Sequence, residues 1–226
     1  MPELAGVLFD MDGTLFDSEK LWDVSLDELA ASLGGTLSVA TRQALVGSNL
    51  YESVTLVHED LGVQADPARS GEFLLRRTKE LFADGLPWKP GAQELLAEVR
   101  ASGLPMGLVT STHRDLTDVA LRNFPDGMFG VVVCGDEVTN TKPDPESYLT
   151  AAERLGVEAP ACVAIEDSPR GIASAEAARC AVVAVPSEVP VPDGPGRIVI
   201  DSLEKVTVQW LYTVHEQLRS RAAAAS

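Results

Sequence analysis

Three residue types are scarce in this 226-residue chain: it has three cysteines, three histidines, and only 18 lysines and arginines against 34 acidic residues. Cys134, Cys162 and Cys180 are odd in number, far apart and set in apolar runs such as VVVCG and ACVAI, so no disulfide framework is expected and buried free thiols are. The basic deficit leaves a formal net charge of -16. A polyanionic nucleic acid or an anionic membrane surface is a poor partner for such a chain. A small anion is still admissible, because charge is screened over roughly 8 Å at physiological salt and a bound cation can reverse the field inside a cleft. Also missing are an apolar run of about 18 residues and a basic-then-apolar N-terminus. A cytoplasmic location is therefore expected, with no membrane association and no obligate protein partner.

What is present is a series of short apolar runs, GVLF, PMGLVT, VVVC, ACVAIE, AVVAV and RIVI, separated by segments with helical spacing. This alternation predicts an α/β fold, a Rossmann-like parallel sheet with helical crossovers on both faces. Crossovers are expected at 90–103, 113–123, 145–155 and 169–179, and a last helix at 202–219, with RAAAAS fraying after it. The proline-rich VPSEVPVPDGPG reads as an exposed loop without chemistry. The rhythm breaks once: 17–86 contains helical patterns such as LWDVSLDELAASLG and YESVTLVHEDLG but no strand. An inserted all-helical cap, 17–87, interrupting a core of 1–16 and 88–226, is the predicted organisation.

In open sheets of this kind ligands bind beyond the carboxyl ends of the strands, so the residue after each apolar run is the informative one. GVLF is followed by Asp10 and Asp12, PMGLV by Thr110 and Ser111, VVVC by Gly135 and Asp136 with Lys142 further on, and ACVAI by Glu166 and Asp167. Converging carboxylates repel one another unless a cation sits among them. Oxygen ligands without histidine or cysteine favour a hard ion such as Mg2+. A hydroxyl at Thr110, an ammonium at Lys142 and backbone N–H groups at the helix start near Ser111 to Arg114 suit a phosphoryl group. Asp10, at the strand end, is the candidate nucleophile, and Asp12 the candidate acid and base.

DMDGT, VTST, TKPDPE and IEDSPRG together resemble, in order, the four motifs of the haloacid dehalogenase-like hydrolase superfamily, over essentially the whole chain. The resemblance implies a Rossmann-like core with a helical cap between the first two motifs. It implies that Asp10 is phosphorylated, that Asp12 is the acid/base, and that Thr110 and Lys142 hold the phosphate. Mg2+ would be bound by Asp10, the Asp12 main-chain carbonyl and Asp167, with Glu166 close by or acting through water. Within the superfamily, Asp12 argues for phosphate esters. The β-phosphoglucomutase-like members carry a cap histidine and a cap arginine where this chain has Trp22 and Leu50, which favours hydrolysis over mutation. The run FDSEKLWD looks like the sugar-phosphate phosphatases. The expected activity is a Mg2+-dependent phosphatase for a small phosphorylated metabolite, a sugar or polyol phosphate; the alternatives are a phosphosugar mutase and a non-catalytic phospholigand-binding protein.

Further candidates for the leaving group are Arg114 and His113 after Thr110, and Arg76, Arg77 and Lys79 in the cap. For those three cap residues, solvated positions on a helix are the default reading. Trp22 and Trp88 line a pocket or simply pack, packing being the default.

Overall fold

The computed structural model describes residues 3–224. Six strands, β1 (Gly6–Phe9), β2 (Met106–Val109), β3 (Val131–Val133), β4 (Cys162–Glu166), β5 (Ala181–Ala184) and β6 (Arg197–Val199), form one sheet in the order β3-β2-β1-β4-β5-β6, with every pair parallel. All six apolar runs are thus strands of one α/β sheet. β1 lies at the centre, and the chain builds outward from it first toward β3 and later toward β6. The switch of direction opens a crevice at the carboxyl ends of β1, β2 and β4.

Strand residues alternate between two apolar layers, as the two-residue period of a strand requires. Val7, Phe9, Leu108, Val163, Ile165 and Val183 face a core shared with α5 (Ala92–Ser102) and α9 (Val208–Ala224). Leu8, Val109, Ala164 and Val182 face the opposite core, filled by Tyr148 of α7 (Glu146–Leu155) and Ile172 of α8 (Pro169–Ala177). Cys134, Cys162 and Cys180 are free and buried, and burial pushes the thiols of Cys134 and Cys162 up to about 11 and about 12.

Between β1 and α5 run four helices, α1 (Glu19–Ser32), α2 (Val39–Leu45), α3 (Leu50–Leu61) and α4 (Pro67–Asp84). Leu26, Leu29, Val54, Val57 and Leu74 give this helical insertion a hydrophobic cluster of its own. The chain enters and leaves it side by side: Asp17 N–H donates to the Pro87 carbonyl at 2.8 Å, Lys89 N–H to that of Leu15 at 2.9 Å, and Phe16 bridges to Trp88. Trp88 packs on the Phe16 ring with centroids 4.3 Å apart.

Two expectations need correction. The final helix starts at Val208 rather than 202, after a short 3-10 turn at Leu203–Lys205, because Thr207 caps it by accepting the Trp210 N–H. It then continues through Ala224 instead of fraying at RAAAAS, whose alanines are strong helix formers; residues 225–226 lie outside the described part.

Candidate active site

Asp10 follows β1 directly, and its N–H is bound to the Ile165 carbonyl of β4 at 3.0 Å. Lys142 comes from the loop before α7 and is 3% exposed, so its ammonium must find partners inside the protein. It finds three: Asp10 Oδ1 at 2.8 Å, Glu166 Oε1 at 2.6 Å and the Val109 carbonyl at 2.9 Å. Burial alone would push the lysine down, but the two carboxylates outweigh it and hold it charged above its ordinary value. Asp10 is displaced the other way. Desolvation, then repulsion from Glu166, raise it to about 7 despite Lys142.

Glu166 is fully buried and sits behind Lys142 rather than on the cavity wall. Its Oε1 also accepts the Tyr148 hydroxyl at 2.7 Å, and its Oε2 faces Ser168 Oγ at 3.3 Å. Asp167, the neighbouring residue, accepts the Thr14 hydroxyl at 3.3 Å and is raised well above the usual carboxylate range by burial and then by Asp10 and Glu166. Ligand oxygens of Asp10, Glu166 and Asp167 lie within 4.8 Å of one another. Three buried carboxylates served by one lysine carry surplus negative charge, and a divalent cation among them would relieve it. The donor set fits such an ion.

Two glycines make room for this packing. A Cβ at Gly171 would stand 1.9 Å from Glu166 Oε1, and one at Gly13, whose φ is +80°, 2.2 Å from Asp167 Oδ2. Neither position admits a side chain without displacing a carboxylate.

Asp12 projects beside Asp10 and takes hydrogen bonds on both oxygens. Oδ2 accepts from Thr112 Oγ1 at 2.7 Å and Thr110 Oγ1 at 3.4 Å. Oδ1 accepts from Ser18 Oγ at 2.6 Å and from the Trp22 indole N–H at 3.2 Å. Ser18 occupies the N-cap position of α1 yet makes no side-chain cap bond, since its hydroxyl is spent on Asp12. Ser18 and Thr112 are not singled out from the sequence, and Trp22 is weighed there as lining a pocket or packing, with packing the default, not as a partner of Asp12. A serine before a helix signals a cap, and the aspartate it serves is six residues upstream.

These groups open into one cavity of about 250 Å3, floored by Asp10, Asp12, Thr110, Lys142 and Asp167 and roofed by the insertion through Trp22, Leu26, Arg42 and Leu50. Ser111 and His113 line it, as expected of residues following β2. Arg114 does not. Its guanidinium turns away to Glu137 and the Val132 carbonyl, because the acidic turn after β3 offers a closer partner. Nor do Arg76, Arg77 and Lys79 reach the cavity: Arg77 clamps Glu28 of α1 and Arg76 pairs with Glu80. The proline-rich loop is not idle, since Glu188 and Val189 line the cavity and Ser187 links Glu19 of α1 to Lys89.

A parallel α/β sheet with Asp10, Asp12, Lys142 and Asp167 gathered at its switch point is an arrangement suited to handling a phosphoryl group. Residues 7–185 match the family model described as haloacid dehalogenase-like hydrolase, and the chain belongs to that family. It is 34% identical over 197 residues to Protein CbbY of Rhodobacter capsulatus, covering 82% of this chain and 87% of that protein. It is 32% identical over 176 residues to a phosphorylated carbohydrates phosphatase of Thermotoga maritima, covering 77% and 82%. In fold it matches a β-phosphoglucomutase from Clostridium difficile, with a TM-score of 0.84 at 20% identity, over 96% of this chain and 99% of that one. The chain is a phosphatase of this family. No helix among the described residues is long and apolar enough to cross a membrane.

Proposed function

We propose that this phosphatase hydrolyses a sugar or polyol monophosphate in two steps through an aspartyl-phosphate on Asp10. The observation that carries this reading is that Asp10 and Asp12 line the floor of one cavity, the first held by Lys142 and the second hydrogen-bonded on both oxygens, one from the core and one from the insertion. Lys142 stabilises the ionised, nucleophilic form of Asp10 and draws the equatorial charge of the phosphoryl group toward itself. Thr110 and Ser111 supply donors on the β2 side. Asp12 gives a proton to the departing alcohol oxygen and then takes one from the attacking water.

Mg2+ is the ion we assign to the carboxylates, held by Asp10, Asp167 and the Asp12 main-chain carbonyl, with Glu166 directly behind. When bound it would neutralise phosphoryl charge. Glu166 acts chiefly through Lys142, whose ammonium it fixes opposite Asp10.

The roof supports an uncharged leaving group. Trp22, Leu26 and Leu50 present apolar surface, Glu19 and Asp23 bring negative charge beside Glu188 of the proline-rich loop, and the roof's one guanidinium among the cavity-lining residues, Arg42, is engaged by Asp27 at 2.5 Å. A second phosphate, which a phosphosugar mutase must hold, has no free cation there. The test is inorganic phosphate release from a panel of sugar and polyol phosphates, with and without Mg2+, beside Asp10→Asn. Release should need both Mg2+ and Asp10. Turnover by Asp10→Asn would end the covalent mechanism, and isomerised product without phosphate would establish the mutase.

A further inference from the structure

The four donors around Asp12 are divided by origin. Oδ2 is held by Thr110 and Thr112, which follow β2 in the core, whereas Oδ1 is held by Ser18, at the entrance to the insertion, and by Trp22, within its first helix. Fixing both oxygens sets the plane of the carboxylate, and therefore the line along which its proton reaches the leaving oxygen. Proton transfer is sensitive to that line, since the groups must come within about 2.6 to 3.2 Å.

Trp22 is built to hold one orientation. Its ring is partly buried against the core, and Phe82 of α4 meets it edge-on, with centroids 6.1 Å apart and planes at 83°. An indole N–H in such a place needs an acceptor. Here the acceptor is the side chain assigned to general acid–base work, not a backbone carbonyl.

We infer that Trp22 is a positioning residue for Asp12: seated on the insertion, it supplies the hydrogen bond that orients the general acid toward the leaving group. The inference rests on the two-step reading above and adds a role for the roof in the chemistry. Opening of the insertion would withdraw this donor while leaving Thr110 and Thr112 in place.

The experiment compares two esters in wild type and Trp22→Phe. One is the best sugar or polyol phosphate of the panel, whose alkoxide must be protonated as it leaves. The other is p-nitrophenyl phosphate, whose phenolate leaves without a proton. The quantity read is kcat/KM, which stops at phosphorylation of Asp10 and so excludes the later water attack that both esters share. Phenylalanine keeps an aromatic ring facing Phe82 but removes the N–H together with part of the indole's bulk, a packing loss that both esters would report equally.

General acid catalysis contributes about 10^2- to 10^4-fold, and loss of one charge-assisted hydrogen bond should lower kcat/KM for the sugar ester about tenfold. The aryl ester should change by less than about twofold. Trp22→His superposes a five-membered ring with an N–H at the same distance from the backbone and should recover most of the loss. Equal losses on both esters, with or without a lowered melting temperature, would mean a packing role and overturn the inference. No loss on either would do the same. If wild type released phosphate from neither ester, or Asp10→Asn remained active, the underlying reading would fail instead.

Discussion

Arg170, in the first turn of α8, holds Glu52 of α3 across the boundary between core and insertion, with one guanidinium nitrogen 2.6 and 2.7 Å from the two carboxylate oxygens. The same nitrogen lies 3.2 Å from the Lys142 carbonyl. Nearby, the Asn49 amide donates to Thr141 Oγ1 at 2.8 Å. The start of α3 is thus fastened to both loops that bring acid and lysine to the site.

Loosening that fastening should weaken substrate capture before it weakens chemistry. Both partners are about one-third exposed, so the pair contributes no more than about 1 kcal/mol. Glu52→Gln is expected to raise KM about two- to fivefold with kcat nearly unchanged. Steady-state kinetics decides it, and a fall in kcat at constant KM would place Glu52 in the chemical step.

Lys142 and Glu166 behave as a buried pair, and breaking it from either side should cost more than a surface pair. Lys142→Ala leaves Glu166 and Asp10 without their cation, for a loss of about 3 to 5 kcal/mol in the metal-free protein. Phosphate release should fall at least about 100-fold. Denaturant unfolding with and without Mg2+ separates the two effects. A variant as stable as wild type would show that the carboxylates had taken up protons or solvent instead.

Gly171→Ala tests the packing around the same pair. Its Cβ would enter the space of the Glu166 carboxylate, which Lys142, Tyr148 and Ser168 prevent from moving aside. Loss of activity is expected together with a melting temperature lowered by several degrees.

The raised carboxylates predict how stability depends on pH. Asp10 rises from an ordinary 3.8 to about 7 and Asp167 moves in the same direction, so the folded metal-free chain binds more protons than the unfolded one between about pH 4 and 7. Stabilisation from these groups is complete below their unfolded values and is lost as pH rises through the folded ones. In EDTA the melting temperature should therefore increase from pH 8 to pH 6. Saturating Mg2+ should raise it most at pH 8 and flatten the dependence, because the ion replaces the protons. A metal-free melting temperature that fell over this range would contradict the shifts.

The sheet was legible because each strand is buried on both faces, which leaves an uninterrupted apolar run ending at a chemically distinctive residue. Asp10, Asp12, Thr110, Lys142 and Asp167 each stand at or soon after such an end, and the structure brings them together. Residues that act by reaching across were not legible. Ser18 imitates a helix cap and Trp22 a packing residue, while nothing near Arg114 in the sequence shows that Glu137 will take it from the cavity. Ser187 and Glu188 lie in a proline-rich stretch whose composition speaks only for a loop, and docking against Glu19 and Lys89 makes it a wall.

Asp17 meets Pro87 and Lys89 meets Leu15, so the chain departs from the sheet and returns to it through a single doorway. Whatever lies beyond that doorway has its own hydrophobic cluster and reaches the reacting groups only from above. Insertions, deletions and substitutions in the roof need not disturb the register of β1 against β2 and β4. Selectivity can then be changed at roof positions other than Trp22 without touching the sheet that carries Asp10 and its partner Lys142.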